Sequence, residues 1–176
     1  IPESEAKYIV DHYHQAYPGV RQGFHTQVRQ MLSQGRTVTN CLGRKRLFLD
    51  RWGDELFKSA YSYILATVAD VINERGIEYV YYNQDVFAPV ELLLQVHDSI
   101  VFQIPRALPL ERHAEILWKI KTQLEIPLQW KLRTFSIPAE IQISTGHMGK
   151  GPGGLKDLAA PDEVTLLSNL LAMSTG

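Results

Sequence analysis

Residues 92–104, Leu-Leu-Leu-Gln-Val-His-Asp-Ser-Ile-Val-Phe-Gln-Ile, constrain this chain more than any other stretch. Leu92, Leu93 and Leu94 lead through Gln95 into Val96. Three polar residues come next, His97, Asp98 and Ser99, and then Ile100, Val101 and Phe102 resume the apolar run. Both runs are strand-length, and the second is β-branched and aromatic. The pattern predicts a hairpin of two buried strands whose three-residue polar tip presents an imidazole and a carboxylate. Groups on such a tip stand on a rigid element, which suits precise chemistry. Asp98 is therefore a candidate ligand for a divalent cation, with His97 beside it. The competing explanation is turn chemistry alone, in which Asp98 bonds its own backbone and His97 and Ser99 are structural.

The rest of the chain reads as mixed α+β. Pro2-Glu3-Ser4-Glu5 predicts a helix start, because proline and acidic residues suit the positive end of the helix dipole. That helix should stop at Pro18-Gly19. A second is expected from Val20 to Gln34, closed by Gly35. Short β-like runs around a glycine turn are expected over residues 36–51. The longest helix should span Asp54 to Arg75 and end at Gly76. Its apolar residues Phe57, Ala60, Tyr61, Ile64, Leu65, Val68, Ala69 and Ile72 recur at helical spacing. Residues 77–91 read as irregular, Pro105–Pro109 as a loop and Leu110–Leu124 as a helix. Extended segments are expected near Leu132–Phe135 and Ala139–Ser144, a flexible glycine-rich loop over 146–154, and an apolar helix over Glu163–Met173.

The 176 residues suffice for one domain with a real core. A net charge of −1 gives no global case for nucleic-acid binding, so such a case must rest on a local patch. That patch exists. Arg44, Lys45 and Arg46 come directly after Gly43, with Arg36 and Arg51 nearby, and adjacent guanidiniums at a close-approach glycine suit phosphate contacts. A solvated charged turn is the bland alternative. The single Cys41 excludes an internal disulfide and fits a reducing, cytoplasmic setting. No apolar stretch approaches a membrane span. The 146–154 loop lacks the adjoining helix that a phosphate-binding loop requires. Tyr79, Tyr81, Tyr82 and Phe87 could stack bases, though surface placement or packing between elements is the better explanation.

In combination these pieces resemble the C-terminal part of a family A DNA polymerase, the group related to bacterial DNA polymerase I and many phage replicases. Gln95-Val96-His97-Asp98-Ser99 resembles the family's motif C. Asn40-Cys41-Leu42-Gly43-Arg44-Lys45-Arg46 resembles its T-x-x-G-R-x-R segment, with Asn40 at the threonine position. Tyr13 through Val20 resembles the Tyr…Tyr-Pro-x-Val stretch after the fingers helix. Ala66-Thr67-Val68-Ala69-Asp70-Val71 resembles the long helix carrying G-T-A-A-D-I, and Ile137-Pro138-Ala139-Glu140-Ile141 with Gly146 resembles the closing strands. The order agrees throughout. Ser99 departs from the family's usual Glu, and Leu65 from its Gln.

The resemblance implies an antiparallel palm-type sheet with a catalytic hairpin, backed by long helices. Residues 1–53 would be the end of the fingers and a basic DNA-contact segment, 54–145 the palm, and 146–176 a glycine-rich loop and tail. It implies template-directed DNA synthesis from deoxynucleoside triphosphates on a primer-template, with two Mg2+ ions. Asp98 would hold metal, His97 would contact the primer terminus, and Gln95 would support the site. Arg44, Lys45, Arg46 and Arg36 would contact DNA. The family's motif A, with its second metal-binding Asp, and its nucleotide-binding fingers helix precede the Tyr-Pro-Gly segment, and the chain opens at Ile1 rather than Met. A piece of a longer or split polymerase is therefore expected, inactive alone and needing an N-terminal partner beside an open strand edge. Two other classes stay open. One is a nucleic-acid-binding module without catalysis. The other is an unrelated metal-dependent phosphohydrolase using Asp85, Glu91 or Glu140 as a second carboxylate.

Overall fold

A computed structural model describes residues 1–174 and divides the chain into two compact units, Ile1–Thr67 and Val68 onward. In the first unit, α1 (Glu3–Ala16) begins after Pro2 with Glu3 and Glu5 in its first turn, and buries none of its side chains. After Pro18 the chain turns into a π-helix, π1 (Gly19–His25), which runs straight into α2 (Thr26–Gly35). The helix expected over 20–34 is therefore helical throughout, but its first half is wound wider. Its closing residue is Arg36, not Gly35. Arg36 adopts the left-handed conformation (φ 53°), and its guanidinium donates to the carbonyls of Phe48 and Asp50. Those bonds help hold a non-glycine residue where glycine is the easier choice.

Strands β1 (Thr37–Thr39) and β2 (Lys45–Leu47) pair antiparallel, with Val38 opposite Arg46. Helix α3 (Asp54–Leu65) covers them. Val28, Leu32, Val38, Phe48, Leu56, Ala60 and Ile64 are buried and form this unit's core. The single helix expected over 54–75 breaks at Ala66, where the Thr67 hydroxyl donates to the Ile64 carbonyl at 2.7 Å.

Helix α4 (Thr67–Val71) leads into a second π-helix, π2 (Ile72–Glu78), then α5 (Tyr79–Tyr82) and α6 (Gln84–Phe87). Gly76 does not end a helix, and residues 77–87 are helical rather than irregular except at Asn83, which separates α5 from α6, with Val80 and Phe87 anchored in the core. The glycine is there for space. A Cβ at position 76 would meet Ile100 Cδ1 at 2.1 Å and Leu124 Cδ2 at 3.3 Å. The hairpin comes next as β3 (Glu91–Val96) and β4 (Ser99–Gln103), then α7 (Leu110–Leu124), but the strands are not buried as expected: β3 is exposed apart from half-buried Leu92, and β4 is half-buried only over Ile100–Phe102. Val80, Phe87, Val90, Ile116 and Ile120 form a core against which Leu92, Phe102 and Ile104 pack. The hairpin therefore stands on α5, α6 and α7.

Two small ladders complete the unit: β5 (Leu128–Trp130) with β6 (Arg133–Phe135), and β7 (Gln142–Ile143) with β8 (Lys156–Asp157). Every ladder is antiparallel and two-stranded among the described residues, so the α+β class holds. The polar pair Lys156-Asp157 gives no strand signal in sequence. The 146–154 loop is held by its own bonds, including Leu155 N–H to Gly149 O and the Ser144 hydroxyl to Gly153 O, both 2.9 Å. Helix α8 (Glu163–Ser174) is capped by Asp162, whose carboxylate accepts the Thr165 N–H at 2.7 Å and is held below its usual range by that bond. Leu158, Leu166 and Leu170 then close over Ala114 and Leu117 of α7. No described helix is long and apolar enough to cross a membrane.

Candidate active site and nucleic-acid interface

The hairpin turn is tighter than its sequence implies. Val96 pairs with Ser99, so the tip is two residues, His97 and Asp98, and Ser99 opens β4. His97 takes φ 50°, a left-handed conformation in which His is enriched over most residues. The Ser99 hydroxyl donates to Val96 O at 2.8 Å, and the Gln95 amide makes a long contact to His97 O at 3.4 Å. These bonds fix the loop from both shoulders.

Asp98 and His97 are both exposed. Neither side chain has a hydrogen-bond or ion-pair partner among the described residues, although Asp is a residue that readily bonds its own turn. An unpartnered carboxylate on a rigid tip keeps its lone pairs for an external cation. The register between β3 and β4 slips at Leu93, because Leu92 faces Phe102 while Leu94 faces Val101. Such a bulge bends a strand and re-aims the residues beyond it, here the tip. It also leaves Leu93 and Leu94 about half exposed, at 52% and 48%. They line a groove of about 140 Å³ with Ile77, Leu92, Gln95 and Ile100.

The other acidic residues considered for the site lie elsewhere. Glu91 starts β3, about 17 Å of strand from the tip at the usual rise per residue, and its carboxylate accepts the Gln103 amide. Asp85 lies on α6, and Glu140 lies in the irregular stretch before β7. No group of three His, Cys, Asp or Glu side chains suited to a metal exists among the described residues. A magnesium ion often takes only one or two protein carboxylates, so Asp98 fits such an ion as one ligand.

The basic turn is organised by Asn40, a role the sequence did not reveal. Asn40 is buried, and its side-chain oxygen accepts the N–H groups of Leu42 and Arg44, both at 3.0 Å. Gly43 supplies the positive φ (81°) that the turn needs. Arg44, Lys45 and Arg46 emerge exposed. The Arg44 carbonyl accepts the Tyr63 hydroxyl at 3.0 Å. Arg46 lies 4.8 Å over the Phe48 ring and 5.8 Å over Tyr63, a contact that aromatics and guanidiniums favour. Lys45 stands on the other face of the ladder, in a groove of about 440 Å³ with Met31, Gln34, Thr37 and Thr39. Arg36 is engaged by the backbone carbonyls of Phe48 and Asp50. Cys41, beside this turn, has its thiol pushed up by burial, an effect only partly offset by contact with the Thr67 side chain, so it stays protonated. Of the aromatic cluster, Phe87 is buried with Tyr79 packed edge-on, while Tyr81 and Tyr82 are exposed and edge-to-face with each other.

The sequence profile of DNA polymerase family A matches residues 1–148. Among solved structures, the chain is similar to the POL domain of Pol1 from M. smegmatis in complex with DNA primer-template and dNTP. The TM-score is 0.60 at 24% identity, over 76% of this chain and 24% of that one. The chain thus spans about a quarter of that protein's length, and the likeness is one of fold. No curated protein matches.

Proposed function

We propose, given that this chain belongs to DNA polymerase family A, that it supplies the motif C half of a nucleotidyl-transfer site together with a grip on the primer-template. The observation that carries this reading is the exposed carboxylate of Asp98, unpartnered on a two-residue turn. Asp98 would be one Mg2+ ligand. The second carboxylate would come from polypeptide beyond the described residues, either of the same protein or of a separate subunit. Bound metal would offset the charge that builds on the transferring phosphate and its leaving group. His97, on the same tip, would meet the primer terminus, and Gln95 steadies the backbone between them.

Arg44, Lys45 and Arg46 would hold the duplex backbone, which positions the nucleic acid without reading its sequence. Arg36 would serve that surface indirectly, by fixing the segment after β2. The apolar flank of β3, with an unpaired edge beside Leu93 and Leu94, is where the N-terminal portion would add a strand.

Primer extension tests this. The chain alone is expected to add no nucleotide, and addition of a polypeptide carrying the N-terminal polymerase portion is expected to restore Mg2+-dependent synthesis. Extension by the chain alone would show that the second carboxylate is already present in it. Failure of every complementing polypeptide, with DNA binding intact, would leave a non-catalytic binding module.

The basic turn makes a separate prediction. Arg44→Ala and Lys45→Ala should each weaken DNA binding to a similar degree across sequences. Each should also reduce the slope of log affinity against log salt by about 0.9, the amount expected for one phosphate contact. Fluorescence anisotropy over a salt series measures it, and an unchanged slope in both variants removes this turn from the interface.

A further inference from the structure

The junction of α1, π1, α2 and α3 holds an imidazole pair that the polymerase reading does not use. His14, on the last turn of α1, meets His25, the last residue of π1, edge to face with ring centroids 6.3 Å apart. Nδ1 of His14 is buried and has no hydrogen-bond partner. The His25 ring lies flat on Tyr61 of α3, 3.9 Å away and 11° from parallel. Tyr61 in turn accepts the Arg29 Nε–H at 2.7 Å, and the Arg29 guanidinium sits 4.5 Å over Phe57. Since α1 buries no side chain, its attachment rests on its C-terminal half, where Asp11, about a turn before His14, also faces Arg21 at 3.9 Å. The wide winding of π1 brings His25 to this point, and π segments recur at functional positions.

We propose that His25, packed against His14, forms a proton-sensitive joint, holding α1 on this unit while the His25 ring is neutral and releasing it on acidification. The charged groups facing the pair are Arg21 from π1, Arg29 from α2 and Asp11 from α1, with Tyr13 and Tyr61 as ring neighbours. Asp11 is turned toward Arg21, so the cations dominate around His25. Burial, His14, Arg29 and Arg21 all hold the His25 proton affinity below its ordinary value of 6.5. A base that binds its proton more weakly when docked than when released gives a docked state that is favoured more as pH rises. The docked state therefore loses stability as pH falls below 6.5.

Hydrogen exchange on the full chain tests the joint, with rates corrected for intrinsic pH dependence. From about pH 7.5 to about pH 5.5, α1 amides should lose roughly tenfold in protection while those of α2 and α7 change little. In His14→Gln and in His25→Gln, each checked for folding by α7 protection, this loss should largely vanish. An NMR titration of the unmodified chain gives a second readout that does not depend on a variant folding. The α1 amide shifts should share one midpoint with the His25 ring resonance. No selective loss in α1, an undiminished loss in both variants, or separate midpoints would each overturn the proposal.

Discussion

Asp98→Ala is expected to abolish nucleotide incorporation in the complemented enzyme, by roughly a thousandfold or more, since a lost metal ligand removes several kcal/mol of charge stabilisation. DNA affinity should stay within about twofold. The argument for so clean a separation is structural. Asp98 is exposed, its side chain bonds nothing among the described residues, and the backbone turn is held by Ser99 and Gln95 instead. An exposed substitution of that kind shifts stability by only about 0.5 kcal/mol, so lost synthesis reads chemistry and not misfolding. Asp98→Asn should fall almost as far, because the amide keeps the shape and loses the charge. Single-nucleotide primer extension, with anisotropy on the same samples, makes the measurement. Near-normal incorporation by Asp98→Ala would remove the metal-ligand assignment, and a parallel collapse of DNA binding would assign the residue to the interface.

Gly76→Ala is expected to destabilise the second unit by about 3 kcal/mol, at the upper end for overpacking, although alanine is the better helix former by about 1 kcal/mol. The added methyl would sit 2.1 Å from Ile100 Cδ1 and 3.3 Å from Leu124 Cδ2. Ile100 opens the apolar run of β4 one residue after Ser99, opposite Gln95, so its displacement is passed to the tip. Thermal unfolding should show a fall of roughly 6–12 °C. Ile100→Val deletes the obstructing methyl at a cost of about 1 kcal/mol, and the double variant should be more stable than Gly76→Ala alone. If the two effects simply add, the close approach is not what the glycine is there for.

The hairpin is legible in the sequence because two apolar runs around three polar residues admit few other shapes. Hidden from it is which of Leu92, Leu93 and Leu94 is left over in the register, since three identical residues carry no mark of the bulge. Gly76 misleads for a related reason. A glycine needed for a stop and one needed for close approach look alike until the crossing strand is seen, and here that strand comes 24 residues later at Ile100. Residues 77–87 then read as irregular because a halt at Gly76 leaves them outside any helix. At the basic turn, the cations announce themselves, whereas the attachment of Arg36 to two backbone carbonyls and the double acceptance by Asn40 depend on partners that local pattern cannot supply. Strand β8 is two charged residues long, below what alternation can detect.

The family match stops at residue 148, yet the molecule does not. Leu158, Leu166 and Leu170, all past that limit, are what keep Ala114 and Leu117 of α7 dry. The family match and the packed second unit therefore have different borders. A shortened version cut to the matched portion would keep every family-like motif this chain carries and still bear a bare greasy flank on the helix that underlies the hairpin, a surface prone to clumping.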